Sequence, residues 1–313
     1  MTEEITEVAV AVFLKPDGTF LLSSRPEGKP YPGYWEFPGG KIEPGESVLQ
    51  AMVRELVEEL NVTITQATPW FSFMMHYTHA TVRLNCWRVT AWQGEMRGME
   101  GQHFEWQTLN ALTVAPTLPG CAPIFKALAL PGTYAITNAT EMGVDAYLTQ
   151  LDHALKRGLK LVQIREKNMP GDAFMKFAQT VVKMAHACDA KVLVNSDAVL
   201  AKQVGADGLH LTAAQLDECD TRPDFPLVAA STHHRHEIER AAELKLDFVV
   251  LGAVKETLTH PGQTPIGWPR FGEIVHATPL PVYALGGLML SDMSVAIRRG
   301  AHGIATQRGI VFA

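Results

Sequence analysis

After residue 132 the chain repeats one pattern about eight times: a short apolar run, a turn, then in most cases an amphipathic segment. The runs are Tyr134–Thr137, Leu161–Arg165, Val192–Asn195, Gly208–Leu211, Leu227–Ser231, Phe248–Gly252, Val282–Leu285 and Gly303–Thr306. Between them lie segments such as Ala146–Lys156, Ala173–Ala187, Glu237–Leu244 and Met293–Arg298. Apolar runs joined by crossover helices bury both strand faces, which is the condition for a parallel sheet. About eight units in roughly 180 residues favour a sheet that closes on itself, a (β/α)8 TIM barrel, over an open doubly wound one. The sequence stops at Ala313, just after the eighth run, so the barrel is expected to lack a full eighth helix. Its first and last strands then need a cover: the apolar segment Ile124–Leu130, or a partner subunit that makes a homodimer through the barrel.

The first part of the chain reads differently. Strand-like runs Val8–Leu14, Phe20–Ser23 and Val82–Ala91 surround one strong helix from about Ser47 to Leu60. Between Ala115 and Gly132 stand Pro116, Pro119, Gly120, Pro123 and Pro131, a linker composition. The expected domains are residues 1–130 and 131–313, and 313 residues suit two domains of roughly 100–200 each. With 47% hydrophobic and 19% charged residues, the chain has the makings of two cores and not of a disordered protein. Its 27 basic against 33 acidic residues leave a net charge of −6, no footprint for a nucleic-acid polymer or an anionic membrane. No apolar run reaches the roughly 18–20 residues of a membrane span, and the acidic Met1–Glu7 lacks the character of a secretory signal. Cys86, Cys121, Cys188 and Cys219 are far apart with no zinc spacing, so reduced thiols in a cytoplasm are expected.

Residues 36–62 read EFPGGKIEPGESVLQAMVRELVEELNV. Helical spacing puts Glu55, Glu58 and Glu59 on one face and Leu49, Val53, Leu56 and Leu60 in an apolar stripe on another. Like charges within one turn repel by roughly a few tenths of a kcal/mol per pair. The face is either simply solvated or holds a hard divalent cation such as Mg²⁺, which keeps several waters and shares its shell with substrate phosphates. Ser47 is placed to cap the helix, Gly39–Gly40 permit a sharp turn before it, and Arg54 is placed to orient a neighbouring carboxylate.

Gly40, five residues, Glu46, seven residues, then Arg54-Glu55-Leu56-Val57-Glu58-Glu59-Leu60-Asn61-Val62 resembles the Nudix box, departing only at Asn61, where that family has glycine. Asparagine is the best non-glycine residue for a left-handed helix stop. The resemblance implies an α/β/α sandwich that hydrolyses a nucleoside diphosphate linked to another group, water attacking phosphorus with Mg²⁺, or Mn²⁺ in its place, neutralising charge. It makes Glu55, Glu58 and Glu59 metal ligands beside the Gly39 carbonyl, with Arg54 in the catalytic set. Trp35-Glu36-Phe37-Pro38-Gly39-Gly40-Lys41-Ile42-Glu43 and the run through Ala127 look most like the MutT branch, which removes 8-oxo-dGTP from the nucleotide pool. On that likeness Glu100, in Glu100-Gly101-Gln102, contributes to metal binding or to activating water, and Arg25, Phe37 and Cys121 face the nucleotide. Cys121 stands where MutT proteins have a base-reading asparagine, and a thiol is a far poorer partner. Asn110 or a backbone amide substitutes for it, or the base differs.

In the second part, Gln163, Arg165 and Lys167 share one strand face and Val162 and Ile164 the other. The polar side is expected to point inward, toward the C-terminal mouth where barrel sites lie. Arginine beside lysine there suits a phosphate or pyrophosphate, with Gly286-Gly287 and Gly309 supplying backbone amides. This part resembles the thiamine-phosphate synthase and TenI superfamily through Tyr134-Ala135-Ile136-Thr137, the Gln163/Arg165/Lys167 set, Val194-Asn195, Gly205-Ala206-Asp207-Gly208-Leu209-His210-Leu211, Ser231-Thr232-His233, Thr257 with Thr259, and Gly286-Gly287. The resemblance implies a phosphorylated thiamine precursor bound by Gln163, Arg165, Lys167, Asn195, Thr257, Thr259, Gly286, Gly287 and Gly309. The synthase's Asn-Asp pair is Asn195-Ser196 here, its second metal aspartate falls near Gln215, and a loop lysine becomes His260. The histidine of TenI-like tautomerases is missing from Gly252-Ala253-Val254-Lys255. Three readings stay open: a hydrolase carrying a phosphate-binding barrel, a bifunctional thiamine enzyme whose first domain clears damaged pyrimidine pyrophosphates, and a barrel serving as sensor or dimerisation module.

Overall fold

The computed structural model describes residues 5–78, 80–257, 262 and 264–308. The chain divides into two compact units, Met1–Ala129 and Leu130–Ala313. In the first, β1 (Ile5–Phe13), β2 (Phe20–Ser24), β3 (Trp35–Glu36) and β4 (Gly39–Lys41) lead into α1 (Val48–Leu60). Then come β5 (Thr63–His76), β6 (Thr81–Gln93), β7 (Phe104–Gln107) and α2 (Cys121–Leu128). They form a four-stranded sheet in the order β4-β1-β6-β5 and a three-stranded one in the order β3-β2-β7. Alternation along β1 builds two cores: Val10 and Val12 join Ile124 and Ala127 of α2, while Ala9, Ala11 and Phe13 join Met52, Leu56 and Leu60 of α1. A sheet with a helix on each face is the expected α/β/α sandwich.

The termini of α1 follow from sequence. The Gln50 amide donates to Ser47 Oγ (3.3 Å) and the Ser47 amide donates to Gln50 Oε1 (2.8 Å), a capping box worth about 1 kcal/mol. Asn61 ends the helix in the left-handed region, at φ 56° and ψ 35°. The expected apolar stripe needs correction, because the buried residues are Ala51, Met52, Leu56 and Leu60. Leu49, in the helix's opening turn, is 40% exposed, and Val53, about 100° round from Met52, is only half-buried. Sequence reading also passed over β5, where Pro69 interrupts the strand pattern; the structure keeps Pro69 in an edge strand with a register shift between Pro69 and Ser72.

The second unit runs β8 (Thr133–Ile136), α3 (Ala139–Met142), α4 (Val144–Lys156), β9 (Leu161–Ile164), α5 (Gly171–His186), β10 (Lys191–Asn195), α6 (Ala198–Gln203) and β11 (Gly208–Leu211). It continues with α7 (Ala213–Glu218), β12 (Leu227–Thr232), α8 (Arg235–Glu243), β13 (Phe248–Leu251), α9 (Gly267–Val275), β14 (Val282–Ala284), α10 (Met293–Arg298) and β15 (Gly303–Thr306). The strands close into a parallel barrel, β15 pairing with β8. Val162 and Ile164 face the helices, whereas Tyr134, Phe248 and Tyr283 pack inside, Phe248 and Tyr283 with ring centroids 5.1 Å apart. Ile124 and Ala127 of the expected cover lie in the first unit's core, and Leu130 joins the barrel's inner cluster. No helix among the described residues is long and apolar enough to cross a membrane.

The left-handed stop predicts that Asn61→Val, which carries the full steric cost of that region, lowers the first unit's unfolding free energy by about 1–2 kcal/mol in a urea titration. Asn61→Gly leaves it unchanged or raises it.

Candidate active site

The acidic face of α1 is built around two close approaches of backbone. A Cβ on Gly39 (φ 147°) would lie 2.0 Å from the Ala9 carbonyl oxygen, so only glycine lets β4 run this close to β1. A Cβ on Gly40 would lie 2.0 Å from the Glu55 carboxyl carbon. The Glu55 carboxylate therefore rests directly on the β4 backbone. Arg54 organises its neighbours: Nη1 is 2.9 Å from Glu55 Oε1 and 3.4 Å from Glu58 Oε2. Its Nε and Nη2 each donate to Glu46 at 2.9 Å, and Nη2 also donates to the Lys41 carbonyl at 3.0 Å. The Arg54 bonds, with the Glu43 amide, hold the Glu46 carboxyl down at about 2. Arg54 thus bonds Glu46, Glu55 and Glu58, carboxylates of the kind it was expected to orient.

Glu100 reaches the same face because its loop is fastened to the end of α1. Gln102, only 7% exposed, donates from Nε2 to the Glu59 carbonyl (2.8 Å) and accepts from the Glu100 amide at Oε1 (2.8 Å), while the Met99 amide also donates to the Glu59 carbonyl (3.0 Å). Lys29 then bridges the two carboxylates, its Nζ 3.2 Å from Glu59 Oε1 and 2.7 Å from Glu100 Oε2. Sequence reasoning missed the work of Lys29 and Gln102, since the pairings span 30, 71 and 43 positions and no local period signals them. Burial pushes the Glu59 carboxyl up to about 7; Lys29 opposes this, and the charges of Glu55 and Glu100 add to it.

As the side chains stand, paired with Arg54 and Lys29, no group of three or more His, Cys, Asp or Glu among the described residues is arranged to hold a metal ion. The donor set nevertheless suits a hard divalent cation. It offers oxygen only, from Glu55, Glu58, Glu59 and Glu100, and the half-buried Glu59 carries negative neighbours that a cation would relieve.

The three residues expected at the nucleotide are differently placed. Arg25 Nη1 is 2.6 Å from Glu36 Oε1, and its Nε donates to the Pro30 carbonyl at 2.5 Å. Phe37 is 5% exposed and packs on Phe20 and Phe125 with centroids 5.7 and 5.6 Å away. Cys121 is 2% exposed; its thiol, 3.7 Å from the Trp35 carbonyl, is pushed up to about 12 by burial. Asn110 is exposed.

In the second unit, Gln163, Arg165, Lys167, Asn195 and Thr257 come together with Gly286 and Gly287 around a cavity of about 490 Å³ at the C-terminal mouth. Thr259, His260 and Gly309 lie outside the described residues. Gln163 Nε2 donates to the Tyr134 hydroxyl (3.0 Å), which is 3.2 Å from His210 Nδ1, and His210 Nε2 is 2.9 Å from Ser231 Oγ. This polar line joins β9, β8, β11 and β12 across the barrel interior, and it too was invisible to local reading. Burial, then the charge of Arg165, lowers the His210 pKa to about 3. Gln215 is occupied: its Nε2 donates to the Ser196 carbonyl (2.9 Å) and its Oε1 accepts from the Thr212 amide (3.1 Å). Glu166 turns away to accept from the amides of Ala139 and Thr140. Glu256 is the single carboxylate residue among the described lining of the cavity.

Holding His210 neutral sets a pH dependence. Its pKa falls from 6.5 in the open chain to about 3 in the fold, so the unfolded state takes up a proton that the folded state refuses. The barrel's stability is fully expressed above about pH 6.5 and declines as pH falls toward 3. Urea titrations of the barrel transition across that range should show the decline, and His210→Gln should flatten it.

Residues 133–310 match the family described as thiamine monophosphate synthase, and residues 5–128 match the NUDIX domain. The thiamine-phosphate synthase of Marinobacter nauticus is 28% identical over 182 residues, which cover 58% of this chain and 82% of that protein. The CTP pyrophosphohydrolase of Escherichia coli is 35% identical over 118 residues, covering 38% of this chain and 87% of that one. The crystal structure of the MutT NUDIX hydrolase from Burkholderia pseudomallei is similar at 26% identity and a TM-score of 0.37, over 40% of this chain and 98% of that one. The chain belongs to the thiamine monophosphate synthase family through its second unit, and its first unit is a NUDIX hydrolase domain.

Proposed function

We propose that the first unit is a pyrophosphohydrolase of nucleoside triphosphates, releasing the monophosphate and pyrophosphate, with 8-oxo-dGTP as the favoured substrate and nucleotide-pool sanitation as the role. One juxtaposition supports this reading above all: Glu55, Glu58 and Glu59 share a face of α1, the Glu55 carboxylate rests on the Gly40 backbone, and Gln102 fastens the Glu100 loop to the Glu59 carbonyl. Mg²⁺, or Mn²⁺ in its place, would be held by these carboxylates and the Gly39 carbonyl; when bound it neutralises phosphate charge and acidifies water. Arg54 keeps Glu55 and Glu58 aligned while its remaining donors stay fixed on Glu46 and Lys41. The buried Cys121 thiol is a weak base-reading group, and the Escherichia coli relative is named for CTP, so CTP is the rival substrate. In a panel of 8-oxo-dGTP, dGTP, CTP and dCTP with Mg²⁺, the full chain should release pyrophosphate with the highest kcat/KM on 8-oxo-dGTP. Glu55→Gln should lose on the order of 10²-fold or more of that turnover. A higher kcat/KM on CTP would reassign the substrate, and background rates throughout, from protein that still binds metal, would sink the reading.

The barrel mouth supports a second role, binding a phosphorylated thiamine precursor. Arg165 and Lys167 meet there with Asn195 and the Gly286-Gly287 turn, a donor set for phosphate oxygens. The pyrimidine pyrophosphate and the thiazole phosphate, each added separately, should raise the barrel's thermal transition, a site at 100 Kd of ligand gaining about 2.7 kcal/mol. No shift with either would remove this role. Thiamine phosphate formed from the mixture would make the protein bifunctional.

A further inference from the structure

We propose that Lys29 is a displaceable counter-cation: it gathers Glu59 and Glu100 in the metal-free protein and yields both carboxylates when a divalent cation enters. The inference rests on the metal reading above and adds to it a residue from a different part of the chain. The carboxylates of the site are divided between two cations. Arg54 serves Glu46, Glu55 and Glu58, and it is pinned by a further bond to the Lys41 carbonyl. Among the described residues, Lys29 is hydrogen-bonded to Glu59 and Glu100, at 3.2 and 2.7 Å.

The two cations differ in how firmly they are held. The Arg54 side chain is 26% exposed, and its planar fork is engaged at Nε, Nη1 and Nη2. The Lys29 side chain is 40% exposed and carries one compact charge on a flexible stem. The pair with Glu100, at 40% and 43% exposure, is of the weak solvent-exposed kind, and at the less exposed Glu59 (13%) an entering cation would supply the positive charge that the ammonium gives up. Its position is also the one a metal would contest, because a cation ligated by Glu59 and Glu100 uses the oxygens that Lys29 now holds. Glu59 and Glu100 belong to α1 and to the 98–102 loop, and the Lys29 charge offsets the repulsion between them.

The test uses the full chain and Mn²⁺ as the probe. Acetic anhydride labels exposed amines, and peptide mass spectrometry reads the rate at Lys29 with and without Mn²⁺, while electron paramagnetic resonance counts bound ion. Saturating Mn²⁺ should speed Lys29 acetylation several-fold and leave a barrel lysine such as Lys202 unchanged. Lys29→Met should bind Mn²⁺ about tenfold more tightly, with Lys29→Arg close to the unaltered protein. Mn²⁺ that binds without changing Lys29 labelling, and with equal affinity in Lys29→Met, overturns the proposal and leaves the metal reading standing. Mn²⁺ that binds neither protein overturns both.

Discussion

The Arg54 guanidinium holds Glu55 and Glu58 of the acidic turn of α1 in place. Glu55, Glu58 and Glu59 fall on one face by helical geometry, and their mutual repulsion would otherwise favour splayed side chains. Arg54 lies on the same helix, yet it reaches back to Glu46 and to the Lys41 carbonyl, and so ties the helix to the turn before it. With that anchor in place, the Glu55 carboxylate can settle against Gly40, where any Cβ would collide with it. The rest of the site builds outward from this fixed point: the β4 backbone on one side, Glu59 and the Gln102-fastened loop on the other.

The barrel solves a different problem, that of polar groups inside an apolar closed sheet. Gln163, Tyr134, His210 and Ser231 form one hydrogen-bonded line, so the buried hydroxyl and imidazole have partners in place of water. The line ends at the same cavity as Arg165 and Lys167, which joins the packing of the interior to the binding surface. At the mouth, Gln215 is engaged with the Ser196 carbonyl in fastening a loop, and Glu166 caps α3. The mouth is consequently rich in donors and poor in hard anionic ligands.

The two units were legible in sequence to different depths. The barrel's strands fall where the apolar runs after residue 132 fall, because a strand buried on both faces needs a continuous apolar stretch. In the first unit, β5 escaped notice because Pro69 breaks its pattern, a break that an edge strand tolerates. Leu49 carries helical periodicity yet sits exposed in the first turn, so periodicity identified the face of α1 but not how far along it the core extends.

By itself the sequence determined what depends on near neighbours: the glutamate face of α1, the Ser47 and Asn61 caps, Arg54 beside its carboxylates, and the in-and-out alternation of Gln163 with Val162 and Ile164. These are consequences of fixed helical and strand repeats, and the same spacing gives the same geometry in any chain. Only the tertiary structure decided what depends on distant partners. It placed Lys29 between Glu59 and Glu100, fastened Glu100 through Gln102, buried Cys121 against the Trp35 carbonyl, and aligned His210 between Tyr134 and Ser231. Each of these pairs residues brought together by packing, and a polar group's partner is set by which elements meet, which no local period records.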